Sequence, residues 1–271
     1  MMKMKWFFIV CLLASVGCAK HVPQYFETPN QLVSFSSPMG QKMFQESQHK
    51  TDFFVLSNNF ESQNNKVFCG PASATIVLNS LYEDELRDQS LKVSPDIQPM
   101  LNADSKYIGK KDDELAQVAF NRFTQNNIFD VKDSKVKSRA QVWGAPMPEG
   151  KADWGFQLKQ LGALISAHGL RSNVYVVNET ISVDKMVELM KENLKNPDDY
   201  VLINYSRKAL SQPGGGHISP IGAYHKASNS FLVMDVNPNK ADWVWVKADL
   251  LYNSMNTFDT VENRGFLTVS K

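Results

Sequence analysis

Three cysteines and five histidines are few for 271 residues, and their placement excludes more than their number does. Cys11 and Cys18 fall in the first eighteen residues, so the body of the chain keeps Cys69 alone. A single thiol builds no disulfide framework, and no Cys/His cluster has the spacing of a structural zinc site. Charge of one sign is also missing: 29 Lys and Arg stand against 28 Asp and Glu, for a formal net charge of +1. With no long basic run, nothing points to nucleic acid or to an anionic surface as partner. No internal repeat is visible, which sets aside solenoids and propellers. An apolar fraction of 43% leaves enough material for a sizeable core, in one large domain or two small ones.

The longest apolar run, residues 6–16, is too short for the roughly 20 residues of a membrane span. Lys3 and Lys5 precede it and Gly17, Cys18 and Ala19 follow, the layout of a secretory signal over residues 1–19. Gly17-Cys18 also resembles a bacterial lipoprotein site, which would end the signal at residue 17 and attach the chain to a membrane through a lipidated Cys18. Ser15 is a poor match to that pattern, and cleavage after Ala19 is the alternative. Either way the expectation is an exported protein: periplasmic, anchored in a bacterial cell envelope, or secreted. Residues 20–37 read as a tether, and residues 38–271 as one catalytic domain.

Hydrophobic periodicity predicts helices over residues 38–48, 69–82, 112–123, 156–168 and 182–194. Alternating or continuous apolar runs predict strands over 173–177, 200–205, 219–224, 231–236, 243–246 and 266–269. Helices first and short-turn strands later make an α+β class with an antiparallel sheet. Residues 132–137 read as a solvated loop, His168 as a histidine in a helix's last turn, and His225 and Asp242 as solvated turn residues.

The informative stretch is Gln63-Asn-Asn-Lys-Val-Phe-Cys69-Gly-Pro-Ala-Ser73, where a polar segment meets an apolar-periodic run. Pro71 is tolerated in a first helical turn, so a loop delivers Cys69 to a helix N-terminus. Backbone N–H groups and the helix dipole favour a thiolate there, although a small buried core residue is the other role for a lone cysteine. Gln63 can present its amide as an oxyanion donor. His217 opens a strand behind Gly214, Gly215 and Gly216 and suits a general base. Asp235, a carboxylate in an apolar run, needs a polar partner and can orient His217, with Asn237 the rival.

These residues resemble the catalytic domain of the phytochelatin synthase family, above all its short bacterial members. The resemblance runs through Ser37-Pro-Met-Gly-Gln-Lys-Met-Phe44, Phe68-Cys69-Gly-Pro-Ala-Ser73, Phe123-Thr-Gln-Asn-Asn127 and Gly216-His-Ile-Ser-Pro-Ile-Gly-Ala-Tyr224. It continues in Leu232-Val-Met-Asp-Val236, Trp243 and Arg264-Gly-Phe266. It implies a papain-like cysteine peptidase fold, with a helical half carrying the nucleophile against a sheet half. It also implies a Cys69–His217–Asp235 triad with Gln63 at the oxyanion, and Gly216, Arg264 and Tyr224 on the substrate side. Glutathione would be the substrate, with glycine leaving and a γ-glutamylcysteinyl acyl-enzyme remaining. The resemblance implies no permanently bound cofactor, with cadmium or zinc entering as metal thiolate or activator. Oligomeric state, a homodimer included, is open.

After the aspartate the family often has Ala-Arg-Phe-Lys, where this chain has Asn237-Pro238-Asn239-Lys240. The lost arginine predicts that hydrolysis to γ-glutamylcysteine exceeds phytochelatin chain building. The alternatives are a papain-clan peptidase acting on other peptides and a non-catalytic thiol-bearing surface lipoprotein.

Overall fold

A computed structural model describes residues 27–87, 122–133 and 135–271. The expected signal segment and nearly all of the expected 112–123 helix lie outside these residues. The described helices are α1 Pro38–Glu46, α2 Thr51–Asn58, α3 Cys69–Leu81, α4 Glu83–Arg87, α5 Arg139–Val142, α6 Leu158–Ala167, α7 Val183–Asn193 and α8 Ala248–Met255. The strands are β1 Val33–Ser34, β2 Arg171–Val176, β3 Asp199–Ser206, β4 Gly216–His225, β5 Ser230–Val233, β6 Val244–Lys247 and β7 Gly265–Ser270. They form one antiparallel sheet in the order β1-β6-β5-β4-β3-β7-β2.

The expected α+β class with an antiparallel sheet is what the chain adopts, but helices cover both faces of the sheet. Along β3 successive side chains enter opposite cores. Tyr200 and Leu202 pack with Ile76, Leu78 and Leu164 of α3 and α6. Val201, Ile203 and Tyr205 pack with Met186, Met190 and Leu251 of α7 and α8. A strand buried on both faces is apolar at consecutive positions, which is why these segments read as continuous runs. Burying one large side chain contributes about 1.5–3 kcal/mol, so this double core supplies most of the driving force.

Helix α3 is buried on every side past Cys69. Small residues make that possible: a Cβ at Gly70 would stand 2.9 Å from the Phe156 ring. Helix α1 starts as its sequence dictates, with Ser37 Oγ accepting the Gly40 N–H and Pro38 in the first turn.

Several expectations need correction. Within the expected tether, residues 27–37 belong to the fold: β1 pairs with β6, Leu32 is buried, and Phe35 sits among Phe44, Phe53 and Trp243. Lys137 is not solvated; it is buried, and its ammonium donates to the Asp153 and Gly155 carbonyls and to the Asp153 carboxylate. His225 is also buried, between Ser228 Oγ at 2.7 Å and Glu46 Oε2 at 3.3 Å. His168 is a packing residue whose Nε2 lies 2.8 Å from the Ile128 carbonyl, and burial holds its pKa down rather than favouring charge. The strand expected through residue 236 stops at Val233, so Asp235 leaves the ladder.

Candidate active site

The geometry begins with Cys69 as the first residue of α3. The loop before it is shaped by Asn65, whose side-chain oxygen accepts the Val67 N–H at 3.0 Å and whose carbonyl accepts from Phe68. Gln125, buried, grips the same loop from the far side. Its amide accepts from the Asn64 N–H and donates to the Ser62 carbonyl, both at 2.9 Å. Across from α3, β4 brings His217 to the thiol, and Ser73 Oγ ties the helix to that strand by donating to the Ile218 carbonyl at 3.2 Å.

The Cys69 thiol and the His217 ring interact, each shifting the other's pKa. His217 Nε2 lies 3.0 Å from Asp235 Oδ1, which leaves Nδ1 as the ring nitrogen for the sulfur. Asp235 in turn receives the Tyr205 hydroxyl at 3.0 Å, the Asn237 N–H at 2.7 Å and the Arg207 guanidinium at 2.6 Å. Four donors on one carboxylate satisfy the buried charge and fix the His217 ring in place.

The electrostatics follow from that arrangement. Burial pushes the Cys69 thiol up, but the His217 hydrogen bond and charge outweigh it. Together with the Ile218 and Gly70 N–H groups they bring the thiol below its ordinary value. Burial disfavours the His217 cation, yet the Asp235 charge and hydrogen bond, with Cys69, raise its pKa. Burial likewise opposes ionisation of Asp235, and His217 and Arg207 overcome it and hold the carboxyl below its usual range. All three shifts favour a thiolate–imidazolium pair backed by a carboxylate. Such a group attacks carbonyl carbons and protonates leaving amines.

Gln63 stands beside this array because its own N–H bonds the Val236 carbonyl at 2.8 Å. Its side-chain Nε2 donates to the Asn65 carbonyl at 2.5 Å, and its Oε1 meets no donor among the described residues. Gly216 is exposed at the start of β4, and a Cβ there would come within 2.9 Å of Arg264 Nη2. Arg264 therefore borders the site, but most of its guanidinium is engaged: Nη2 by Asp259 at 2.8 Å, Nη1 by the Phe258 carbonyl at 2.6 Å and by Thr257. Its buried Nε has no acceptor among the described residues.

Tyr224 does not join them. It lies seven positions from His217 on the same strand, about 23 Å away at 3.3 Å per residue. There its hydroxyl donates to Asn229 and its N–H to the His49 carbonyl. Asn237 contributes its backbone N–H to Asp235 rather than replacing it. Among the described residues no group of three or more His, Cys, Asp or Glu side chains is arranged to hold a metal ion.

With this geometry in place, comparison with known proteins is decisive for the family. A family model described as phytochelatin synthase matches residues 24–94 and 107–266, most of the chain. The chain belongs to the phytochelatin synthase family. It is similar to glutathione gamma-glutamylcysteinyltransferase 3 of Lotus japonicus, 26% identical over 88% of this chain and 42% of that protein. It is also similar to glutathione gamma-glutamylcysteinyltransferase 1 of Triticum aestivum, at 27% over 88% and 40%. The Schizosaccharomyces pombe glutathione gamma-glutamylcysteinyltransferase matches at 24% over 89% and 49%. The chain thus spans between two fifths and half of the length of these relatives. Within the family frame, Cys69, His217 and Asp235 lie inside the matched residues, as does Arg207, a partner of the carboxylate that sequence reading passed over.

Proposed function

We propose that this chain is a cysteine-dependent glutathione γ-glutamylcysteinyltransferase of papain-like build, with Cys69 as nucleophile, His217 as acid–base and Asp235 as orienter. The observation that carries this reading is the run from the half-buried Cys69 thiol through buried His217 to a buried Asp235 held by four donors. A nucleophile at a helix N-terminus facing a histidine on the sheet supports the papain-like assignment, and family membership supplies the substrate.

In the forward step the thiolate attacks the carbonyl that joins cysteine to glycine in glutathione. The developing oxyanion takes hydrogen bonds from the Cys69 backbone N–H, which has no intrahelical partner, and from the second Nε2 hydrogen of Gln63. Imidazolium His217 gives its proton to the departing glycine nitrogen as the C–N bond breaks, leaving a thioester on Cys69. Neutral His217 then takes a proton from water, or from the amino group of a second glutathione, as that nucleophile attacks the thioester. Water yields γ-glutamylcysteine; the amine yields a phytochelatin. Cadmium or zinc would enter as the thiolate complex of the acceptor, and so as substrate.

Hydrolysis is the favoured branch in this reading. Pro238 and Asn239 are exposed where the family pattern has an arginine, and Lys240 is the remaining cation of that segment. Export, by signal cleavage after Ala19 or lipidation at Cys18, is part of the same proposal and rests on residues 3–19.

Incubation of the full chain with glutathione, with and without cadmium, tests the reading by mass spectrometry of the products. Glycine and γ-glutamylcysteine in excess over longer oligomers are expected. Cleavage of unrelated peptides with glutathione untouched would transfer the triad to another substrate.

A further inference from the structure

Residues 27–35 run across the outside of two loops that converge on the site. One loop, residues 207–216, leads from Arg207 to His217; the other, residues 235–243, starts at Asp235. Gln31 Nε2 donates to Ser211 Oγ at 3.2 Å on the first loop, and Ser34 Oγ donates to Asp242 Oδ2 at 3.4 Å on the second. The Phe35 N–H bonds the Trp243 carbonyl at 2.8 Å. Thr28 and Pro29 share a shallow cavity with Gln212 and Pro213 of one loop and Lys240 and Asp242 of the other. Leu32, buried, belongs to the same apolar cluster as Tyr205 and Leu210.

The first loop is tied directly to the buried ion pair. The Arg207 N–H bonds the Gly215 carbonyl at 2.9 Å, and the Arg207 carbonyl accepts from Gln212 at 2.9 Å and Leu210 at 3.0 Å. A Cβ at Gly214 would lie 3.2 Å from Arg207 Cδ and 3.4 Å from Lys240 Nζ, so the loops touch over the arginine. Displacing residues 211–213 therefore displaces Arg207. Residues 27–35 thus form an arm against both loops, and α8 also packs on the first through the cluster that holds Leu210 and Leu251.

We propose that residues 27–35 are a clamp that sets the spacing of the Arg207 and Asp235 loops and thereby holds Asp235 at bonding distance from His217. Gln31 and Leu32 are its positioning residues. The inference rests on Cys69, His217 and Asp235 acting as one reactive unit, and is independent of glutathione as substrate.

The test uses the full chain and the rate of Cys69 alkylation by iodoacetamide against pH, read on the peptide that carries Cys69. Pro29→Gly with Gln31→Ala loosens the arm without opening the core, and Leu32→Ala removes its buried anchor. Both are expected to move the alkylation midpoint up by about half a pH unit, roughly a threefold slower reaction below the midpoint. Leu32→Met, which keeps the apolar volume, is expected to follow the wild type. A wild-type profile in the Pro29→Gly, Gln31→Ala protein overturns the clamp, whether or not Leu32→Ala folds. Glycine release from glutathione, measured in parallel, separates the two readings: shifted alkylation in a chain inert to glutathione keeps the clamp and removes the substrate.

Discussion

Arg207 and Asp235 form an ion pair 2.6 Å long in which both side chains are almost wholly buried. The pair lies directly behind His217, so the charge that steadies the histidine is itself steadied by a guanidinium. Burying two such ions costs several kcal/mol each, which good geometry and further hydrogen bonds must offset. Here the Tyr205 hydroxyl and the Asn237 N–H supply those bonds.

Removing one partner exposes the arrangement. Arg207→Met leaves Asp235 buried without its permanent cation and is expected to cost about 3–5 kcal/mol of stability. Arg207→Lys restores a charge and part of that loss, without the planar fork. Urea denaturation followed by circular dichroism measures both; an unchanged midpoint in Arg207→Met would contradict the assignment.

The pH dependence has two limbs of opposite origin. The thiolate forms as pH rises through the lowered Cys69 value, and the imidazolium is lost as pH rises through the raised His217 value. Asp235→Asn removes the charge that raises His217, so the alkaline limb of kcat/KM is expected to move down. A fall in kcat of about 10²–10⁴-fold should accompany it. Stability carries the same signs. The His217 contribution is present below its ordinary value of 6.5 and is lost as pH rises through the higher folded value. The Asp235 contribution is present above 3.8 and is lost as pH falls through the lower folded value. An Asp235→Asn alkaline limb that coincides with the wild type would show that the carboxylate does not set the histidine.

Far from the site, Asp52 is buried at the start of α2 with both carboxylate oxygens lacking a donor among the described residues. Burial, with the charges of Asp199 and Asp198, pushes its pKa up to about 9. The folded protein keeps a proton there that the unfolded chain releases near 3.8, so stability is lost as pH rises between those values. Asp52→Asn is expected to raise Tm at pH 8 and to change it little near pH 4. A Tm gain that is equal at both pH values would mean that the carboxyl is ionised in the folded state.

Much of this was legible in the chain. Cys69 followed by Gly70-Pro71 and an apolar-periodic run specifies a loop entering a helix, and α3 begins at Cys69. The apolar segments from residue 173 onward became β2 to β7 because each is flanked by turn residues and buried on one face or both. What escaped depends on contacts distant in sequence. Arg207 follows Ser206 and precedes Lys208, and nothing local distinguishes it from a surface arginine; only Asp235, twenty-eight positions on, buries it. Lys137 looks solvated until the Asp153 and Gly155 carbonyls close around its ammonium. Helix α2 hid in Phe53-Phe54-Val-Leu56, four apolar residues with no period to read, and the arm at 27–35 looked like linker because its partners lie some 180 to 208 positions away. Tyr224 belongs to the same family motif as His217, but the length of β4 places it at the other end of the strand.

The most direct test of the central claim is acid quenching of the full chain during turnover with glutathione, followed by mass spectrometry of the peptide that contains Cys69. A γ-glutamylcysteinyl thioester on Cys69, one glycine released for each adduct, and neither in Cys69→Ala is the predicted result. Glycine release that persists undiminished in Cys69→Ala would contradict it.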